Sequence, residues 1–238
     1  MSSRIRFVEI ADANPNPSGS RDKQVIDLGD GSEVVYIPRF ISRDQAWEWC
    51  EHLDKEIPWT RPSIHVFGRS CLQPRETCYI ADEGLAAMRY SGYQPNAYSW
   101  DDYPILKDIL KAVYEALPGS KFNTVLLNRY KSGSDYVAWH SDEDKLYGST
   151  PEIASVSFGC EREFLLRKKP SKKPATISLC CNACASLQRC TSIKWETTQG
   201  QYRTACFCSK AWIFVTDERL HPTRLGSFGA QAHESRFC

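Results

Sequence analysis

The sequence predicts an α+β fold whose core is an antiparallel sheet or barrel. Two amphipathic helix patterns lie in the first half of the 238-residue chain, and short strand patterns follow them as far as residue 167. Hydrophobic residues make up 42% of the chain and charged residues 25%, which is typical of a globular domain. We therefore expect one domain at residues 31–167, between an N-terminal arm at residues 1–30 and a C-terminal tail at residues 168–238.

The N-terminal elements follow from turn and capping residues. A polar stretch with NPNPSGS at its centre predicts a flexible arm over residues 1–30. Residues 33–37 have a strand pattern that Pro38 ends, and Ser42 can cap the helix that follows. The apolar residues of this helix are expected on one face: Ala46, Trp47, Cys50 and Leu53.

The central elements are a second helix and three strands. Apolar residues recur every four positions over residues 104–117, which predicts an amphipathic helix that Pro118 and Gly119 end. The recurring residues are Ile105, Ile109, Val113 and Leu117. Strand patterns follow at residues 122–130, 153–159 and 163–167.

The last part of the chain differs from the rest in composition. Seven of the eleven cysteines lie beyond Leu179, and no sustained strand or helix periodicity follows Lys168, so we predict a poorly ordered, cysteine-rich tail. Cys181 and Cys184 have the spacing of half a zinc site, but no second pair completes it. We therefore predict no organised zinc site, and without a secretory signal we expect no disulfide framework.

Charge and hydropathy exclude some classes of partner. The net charge is +1, so no global field favours nucleic acid, and no stretch is apolar enough for a signal peptide or a membrane span. We expect a soluble intracellular protein with no membrane partner. A basic run at residues 167–173 can contact phosphates, although a solvated loop is an equal alternative.

Two pairs of side chains suggest a site. His140 and Asp142 are two residues apart in an extended or turn-like stretch, so both can face one metal ion, although a surface histidine in an acidic turn is the simpler alternative. Asn128 and Tyr130 alternate with apolar residues, so both can face the interior of a barrel. The alternative is a polar residue and a tyrosine at a strand end.

Several linked stretches, in order, resemble the AlkB-type Fe(II)/2-oxoglutarate dioxygenases that repair alkylated nucleic acid. The core of that family is similar to NRYKSGSDYVAWHSDED followed by PEIASVSFGCEREFLLR. Its substrate lid is similar to VFGRSCLQPRETCYIADEG and MRYSGYQPNAYSW, upstream. The resemblance extends from about Val34 to Arg167. It implies a double-stranded β-helix (jelly roll) with N-terminal helices and a nucleotide-recognition lid.

The resemblance also implies roles for single residues. His140 and Asp142 match two iron ligands, and Asn128 and Tyr130 match residues that bind 2-oxoglutarate. The remaining matches are to the substrate site: Arg75 in the lid, Met88 and Tyr90 in a hairpin whose rings stack on the flipped base, and Glu143 facing the methylated base. The implied reaction uses Fe(II), O2 and 2-oxoglutarate to demethylate bases of the 1-methyladenine and 3-methylcytosine type in DNA or RNA. Such bases leave the stack and carry a positive charge, which suits Tyr90 and a carboxylate.

The chain departs from the family after residue 167. The family has a second iron-binding histidine and an arginine for the far carboxylate of 2-oxoglutarate, and the surroundings of His221 and His233 fit neither. Codons permitted for Asp217–Phe228, read one nucleotide later, encode MRGYTQPDWDHS, which is the family's missing segment. We therefore hypothesise a changed reading frame here and a barrel that lacks its C-terminal part.

These departures predict weak or absent turnover. The alternatives are a catalytically inactive isoform that binds nucleic acid or regulates, and an unstable splice product without function. We expect a monomer in the nucleus, with the cytoplasm as a second location. The choice between DNA and RNA, and between single and double strands, stays open.

Overall fold

The computed structural model describes residues 23–29, 31–85, 88–140 and 152–159, together with five further strands for which the backbone is described. The helices are α1 (Arg43–Glu56) and α2 (Pro104–Ala116), with a short 3-10 helix at Trp100–Asp102. The strands before α2 are β1 (Gln24–Gly29), β2 (Ser32–Ile37), β3 (Ser63–Val66), β4 (Arg69–Leu72), β5 (Glu76–Ala81) and β6 (Ala97–Tyr98). The strands after α2 are β7 (Phe122–Arg129), β8 (Val137–His140), β9 (Glu152–Ser157), β10 (Arg162–Lys168), β11 (Ala175–Leu179), β12 (Cys184–Arg189), β13 (Trp195–Gln199) and β14 (Ala211–Asp217).

The strands form two main sheets and a hairpin. The large sheet has the order β1-β2-β12-β9-β14-β7-β5-β6, and the small sheet has the order β11-β10-β13-β8. Strands β3 and β4 form a separate hairpin. All pairs are antiparallel except β5 with β6. The predicted antiparallel β core is therefore confirmed.

Helix α1 begins at the predicted cap. The side chain of Ser42 accepts a hydrogen bond from the backbone N–H of Gln45 at 3.2 Å, which satisfies one of the free donors of the first turn. The buried face consists of Ala46, Trp49, Cys50 and Leu53. Trp47, which the sequence placed on this face, is 47% exposed. The spacing i, i+3, i+4, i+7 selects Trp49 instead, because only that position lies within the apolar stripe.

Helix α2 confirms the second helix pattern. Pro104 occupies the first turn, where its missing N–H has no partner to lose, and the backbone N–H of Leu117 closes the C-terminus on the Val113 carbonyl at 2.9 Å. Leu106, Ile109 and Val113 are buried. The predicted apolar residue Ile105 packs at the margin of the core.

The large sheet has one apolar and one polar face. Side chains on its apolar face, including Ile80, Val125 and Val156, join residues of α1 and α2 in the main hydrophobic core. Successive side chains of a strand point to opposite faces, so the intervening residues point away from the helices. These include Thr77, Asn128, Ser155 and Ser157, all of which are buried.

Strands also lie outside the domain expected at residues 31–167. Gln24–Gly29, assigned to the flexible arm, forms β1 and pairs with β2. Four strands lie beyond Lys168, where the sequence shows no sustained strand periodicity: β12 and β14 in the large sheet, and β11 and β13 in the small sheet. Their partners supply the reason, since a neighbouring strand with unpaired backbone groups can fix a segment of weak intrinsic preference.

Within the residues that the structure describes, neither helix has the length and apolar character needed to cross a membrane.

Candidate active site

Strand register assembles the polar face of the large sheet. Asn128 on β7 pairs with Thr77 on β5 and with Trp212 on β14, and Trp212 pairs in turn with Ser157 on β9. These four positions form one row across the sheet, with Ser155 one pleat further along β9. The sequence prediction that Asn128 faces the interior is confirmed, because its side chain is fully buried on the face opposite the helices.

Three polar atoms on this face are buried without partners among the described residues. Asn128 donates from Nδ2 to the Leu126 carbonyl at 3.2 Å, but its Oδ1 has no hydrogen-bond partner among the described residues. The same is true of the hydroxyl oxygens of Ser155 and Ser157. Buried polar atoms in folded proteins nearly always have partners, so a row of unpaired ones is the arrangement that a polar ligand completes.

Arg75 and Tyr130 meet beside this row. Tyr130 is fully buried and Arg75 is 8% exposed, and Nη1 of Arg75 donates to the Tyr130 hydroxyl at 3.1 Å. The Nε of Arg75 is buried and unpaired within the described part of the chain. Tyr130 follows Asn128 by two residues, so both predicted interior residues lie on one side of the strand end.

The lid tyrosine lies next to the same arginine. The Tyr90 hydroxyl donates to Gln73 Oε1 at 3.2 Å, and its ring meets Tyr93 edge to face at 5.6 Å between centroids. Burial raises the pKa of Tyr90, and the nearby positive charge of Arg75 opposes that rise. The structure thus brings predicted lid and cosubstrate residues together around Arg75, while Met88, two residues before Tyr90, is partly buried with no such contact described.

Arg129 is a residue that the sequence analysis missed. It points to the opposite face from Asn128 and Tyr130, where it pairs with Asp54 of α1 at 2.8 Å and Glu76 of β5 at 2.7 Å. Its guanidinium also lies 4.7 Å from the ring centroid of Trp59. These contacts fix the strand end that carries both interior residues. The alternation of β7 predicts which way Arg129 points, but its partners are too far along the chain to infer.

Asp135 fixes the turn that links Tyr130 to β8. One carboxylate oxygen, Oδ2, accepts hydrogen bonds from the backbone N–H groups of Lys131 and Ser132, at 2.8 and 3.3 Å. The same oxygen pairs with Arg61 at 3.1 Å. This buried carboxylate therefore sets the path of the chain between Tyr130 and His140.

His140 ends β8 in the small sheet. It is partly buried, and its backbone pairs with Thr197 of β13. Asp142 and Glu143 lie outside the described residues, so their predicted roles stay predictions. Among the described residues no group of three or more His, Cys, Asp or Glu side chains is arranged to hold a metal ion.

The comparisons with known proteins agree with this geometry. The family model for the 2OG-Fe(II) oxygenase superfamily matches residues 33–204. The Arabidopsis thaliana protein named DNA oxidative demethylase ALKBH2 is 60% identical over 164 residues, which is 69% of this chain and 52% of that protein. The human alpha-ketoglutarate-dependent dioxygenase alkB homolog 3 is 34% identical over 139 residues, 58% of this chain and 47% of its own. The chain thus spans about half the length of these curated relatives.

Solved structures give the same fold. A structure titled as that of OsALKBH1 superposes with a TM-score of 0.51 at 16% identity, covering 82% of this chain and all of that chain. A 2OG-Fe(II) oxygenase family oxidoreductase from Burkholderia pseudomallei gives 0.50 at 11% identity, covering 77% and 84%. The predicted jelly-roll core is confirmed by these neighbours and by the two sheets, in which all pairs but one are antiparallel.

Proposed function

We propose, because this chain belongs to the 2OG-Fe(II) oxygenase superfamily, that it is built to demethylate N-alkylated bases in nucleic acid by oxidation. Its curated relatives include proteins named DNA oxidative demethylase ALKBH2 and alkB homolog 3, which confirms the resemblance to AlkB-type enzymes. The observation that carries the proposal is the buried polar row around Asn128, Tyr130 and Arg75. It lies at the positions that the resemblance gave to the cosubstrate and the lid.

The residues of this row fit 2-oxoglutarate. The cosubstrate is a dianion whose oxygens accept hydrogen bonds, and charge-assisted bonds to carboxylates are among the strongest in proteins. The site offers the guanidinium of Arg75 and the phenolic hydroxyl of Tyr130, together with the hydroxyls of Ser155 and Ser157. All of these residues are buried, so water is largely excluded. A bound dicarboxylate would also satisfy atoms that the described residues leave unpaired.

The proposed metal ligands are His140 and Asp142. An imidazole and a carboxylate are two of the three groups of the facial triad that holds Fe(II) in oxygenases of this kind. When bound, Fe(II) with 2-oxoglutarate and O2 supplies the oxidising chemistry that hydroxylates an N-methyl group, which then leaves as formaldehyde. The protein's part is to hold the cosubstrate and to keep the Asp135 turn in place, so that His140 is presented beside it.

The base is proposed to stack on Tyr90, with Glu143 facing its positive charge. The β3–β4 hairpin adds a contact to the duplex or strand, since Phe67 at its tip is 69% exposed and Arg69 follows two residues later. Exposed apolar wedges next to basic residues are typical of proteins that separate or kink base steps. We propose alkylated DNA or RNA as the partner, a monomeric protein and a nuclear location.

Turnover of this chain is proposed to be weak or absent. Neither the second iron histidine nor the family's downstream arginine has a match in the sequence, and the hypothesised change of reading frame would account for both. The alternative is a chain that binds damaged nucleic acid without oxidising it. The basic run at residues 167–173 favours it, because phosphate contacts alone supply non-specific affinity.

The test measures formaldehyde and succinate formed from methylated single-stranded DNA with Fe(II) and 2-oxoglutarate. The comparison is a frame-restored chain that carries the MRGYTQPDWDHS segment. We expect the restored chain to be at least about 100-fold faster, because even loss of a group that only supports a metal ligand costs about 10- to 100-fold. Equal rates would contradict the defect, and binding of DNA without turnover would favour the alternative. Transcript sequencing tests the frame itself, since codons incompatible with the shifted reading would exclude it.

A further inference from the structure

We propose that Arg75 binds the distal carboxylate of 2-oxoglutarate and so takes the place of the arginine that the chain lacks. This inference rests on the proposed function and names a cosubstrate ligand within it. The resemblance assigned Arg75 to the nucleotide lid. Its burial and its contact with Tyr130 place it instead next to the residues that we propose bind the cosubstrate.

The first step is the burial of an unpaired charge. Arg75 is 8% exposed, and no carboxylate of the described residues forms an ion pair with it. A guanidinium is permanently charged, and burying it without a counter-ion is costly. Arg129, on the neighbouring strand β7, shows how such a charge is usually stabilised. Its guanidinium pairs with the carboxylates of Glu76 and Asp54, at 2.7 and 2.8 Å. Among the described residues, Arg75 is therefore a buried cation with no carboxylate partner, and a bound anion would supply one.

The second step is the identity of its neighbours. Its one side-chain hydrogen bond to a described residue is to the Tyr130 hydroxyl, at 3.1 Å, and its Nε has no partner there. A carboxylate needs several donors directed at one point, and a guanidinium with an adjacent phenol provides them in a fixed fork. Asn128 lies two residues before Tyr130. It is on the same face of the sheet as Ser155 and Ser157, whose hydroxyl groups have no partner among the described residues.

The third step is charge balance along the cosubstrate. The 2-oxo acid end is the end that a metal at His140 would chelate, so the distal carboxylate must be neutralised elsewhere. No arginine matching the family's pattern is present downstream. Among the described residues, Arg75 is the buried cation that lies on this face without an anionic partner. A nucleic-acid phosphate is a less suitable occupant, because it would have to leave water and reach a fully buried tyrosine.

The experiment compares two ligands of equal length. Calorimetric titrations of the full chain with Mn(II) present measure the Kd of 2-oxoglutarate and of 2-oxopentanoate, which has a methyl group in place of the distal carboxylate. We expect the parent to prefer 2-oxoglutarate. Arg75→Gln should weaken 2-oxoglutarate binding about 10- to 100-fold and leave 2-oxopentanoate unchanged, since one charged hydrogen-bond pair is lost.

Two further variants keep the result interpretable. Arg75→Lys retains the charge and should keep part of the preference, which a merely structural role would not produce. Arg43→Gln removes an exposed arginine at the start of α1 and should leave both Kd values as in the parent. Circular dichroism of each variant verifies the fold, and fluorescence anisotropy with a methylated oligonucleotide measures DNA binding.

The outcomes separate this inference from the proposed function. A folded Arg75→Gln chain that keeps the parent's preference overturns the role of Arg75 and leaves the function standing. Loss of oligonucleotide binding with both Kd values unchanged overturns it too, and assigns Arg75 to the nucleic acid. Failure of 2-oxoglutarate to bind to both the parent and the frame-restored chain counts against the proposed function itself.

Discussion

At the scale of residues, the C-terminal end of strand β7 both lines the polar interior and anchors the sheet to α1. Asn128 and Tyr130 face the polar interior, while Arg129 between them anchors the strand to α1 and β5. Because Arg129 fixes the backbone at this point from the opposite face, the Oδ1 atom of Asn128 can stay without a partner among the described residues. This division follows from the alternation of a strand.

Replacement of Arg129 should be strongly destabilising. Arg129→Met leaves Glu76, which is largely buried, without its main partner, and breaking a buried pair from one side costs about 3 kcal/mol. The measurement is the free energy of unfolding from urea titration. The matched control is Lys131→Met, which removes an exposed partner of the same carboxylate and should cost less than about 1 kcal/mol. Similar losses in the two variants would contradict the anchoring role.

The cysteines of the domain should differ in reactivity. Burial raises the pKa of Cys78 from 9.0 to about 12, so the thiolate that reacts with iodoacetamide is scarce, whereas Cys71 is exposed. Mass spectrometry after alkylation at pH 8 should find Cys71 modified and Cys78 intact until the protein unfolds. Early modification of Cys78 would show that β5 opens in the native state.

The same raised pKa predicts a pH dependence of stability. The folded state favours the neutral thiol of Cys78. The contribution of this thiol to the free energy of unfolding is therefore complete below pH 9 and is lost as the pH rises from 9 toward 12. Unfolding midpoints in urea should therefore fall between pH 8 and 10.5, and fall less steeply in Cys78→Ala. Parallel slopes for parent and variant would refute the contribution of this thiol.

At the scale of elements, the β3–β4 hairpin presents an apolar tip. Phe67 and Gly68 both have positive φ, 50° and 73°, which is the backbone of the tight turns that suit strand twist. A phenylalanine in that conformation is strained, and it is 69% exposed, so packing within the protein does not explain it. The proposed contact with bases would account for it.

Phe67→Ala should weaken nucleic-acid binding and leave the fold unchanged. Loss of one stacked or inserted ring costs about tenfold in Kd, and the exposed side chain contributes little to stability. Fluorescence anisotropy at one salt concentration measures the Kd, and thermal melting measures stability. Leu72→Ala, at the other end of the hairpin and 61% exposed, is the control. An equal effect of both variants would argue against a specific role for the tip.

At the scale of the whole molecule, the segment after residue 168 completes both sheets. Strand β14 lies between β7 and β9, where Phe214 pairs with Leu126 on one side and Ser155 on the other. The strand that carries Asn128 therefore has a neighbour on both edges. Removal of β14 would leave two central strands with unpaired backbone groups.

Phe214→Pro should abolish cooperative folding. Proline cannot donate to the ladder and is not tolerated in a central strand. Phe214→Ala keeps the backbone N–H and should retain a cooperative urea transition at lower stability. Circular dichroism during urea unfolding distinguishes the two. A cooperative transition in the proline variant would show that β14 is not required in the sheet.

The sequence by itself determined the local features of this protein. The repeat of apolar residues predicted both helices, and a capping residue at Ser42 predicted the start of α1. The alternation of polar and apolar residues predicted the inward direction of Asn128 and Tyr130. Each of these signals depends on residues only a few positions apart. Linked motifs also identified the family, which the match over residues 33–204 confirms. The roles of Asp142 and Glu143 remain predictions from that resemblance alone.

Only the tertiary structure decided which distant residues meet. Arg75 and Tyr130 are 55 residues apart, and the pairing of β5 with β7 brings them together. Arg129 and Asp54 are 75 residues apart, and the packing of α1 on the sheet brings them together. The strands beyond Lys168 were missed for a related reason, since β12 and β14 owe their conformation to the strands on either side. Local patterns carry no information about register between distant strands, and for that reason the partners of a buried charge could be found only in the folded chain.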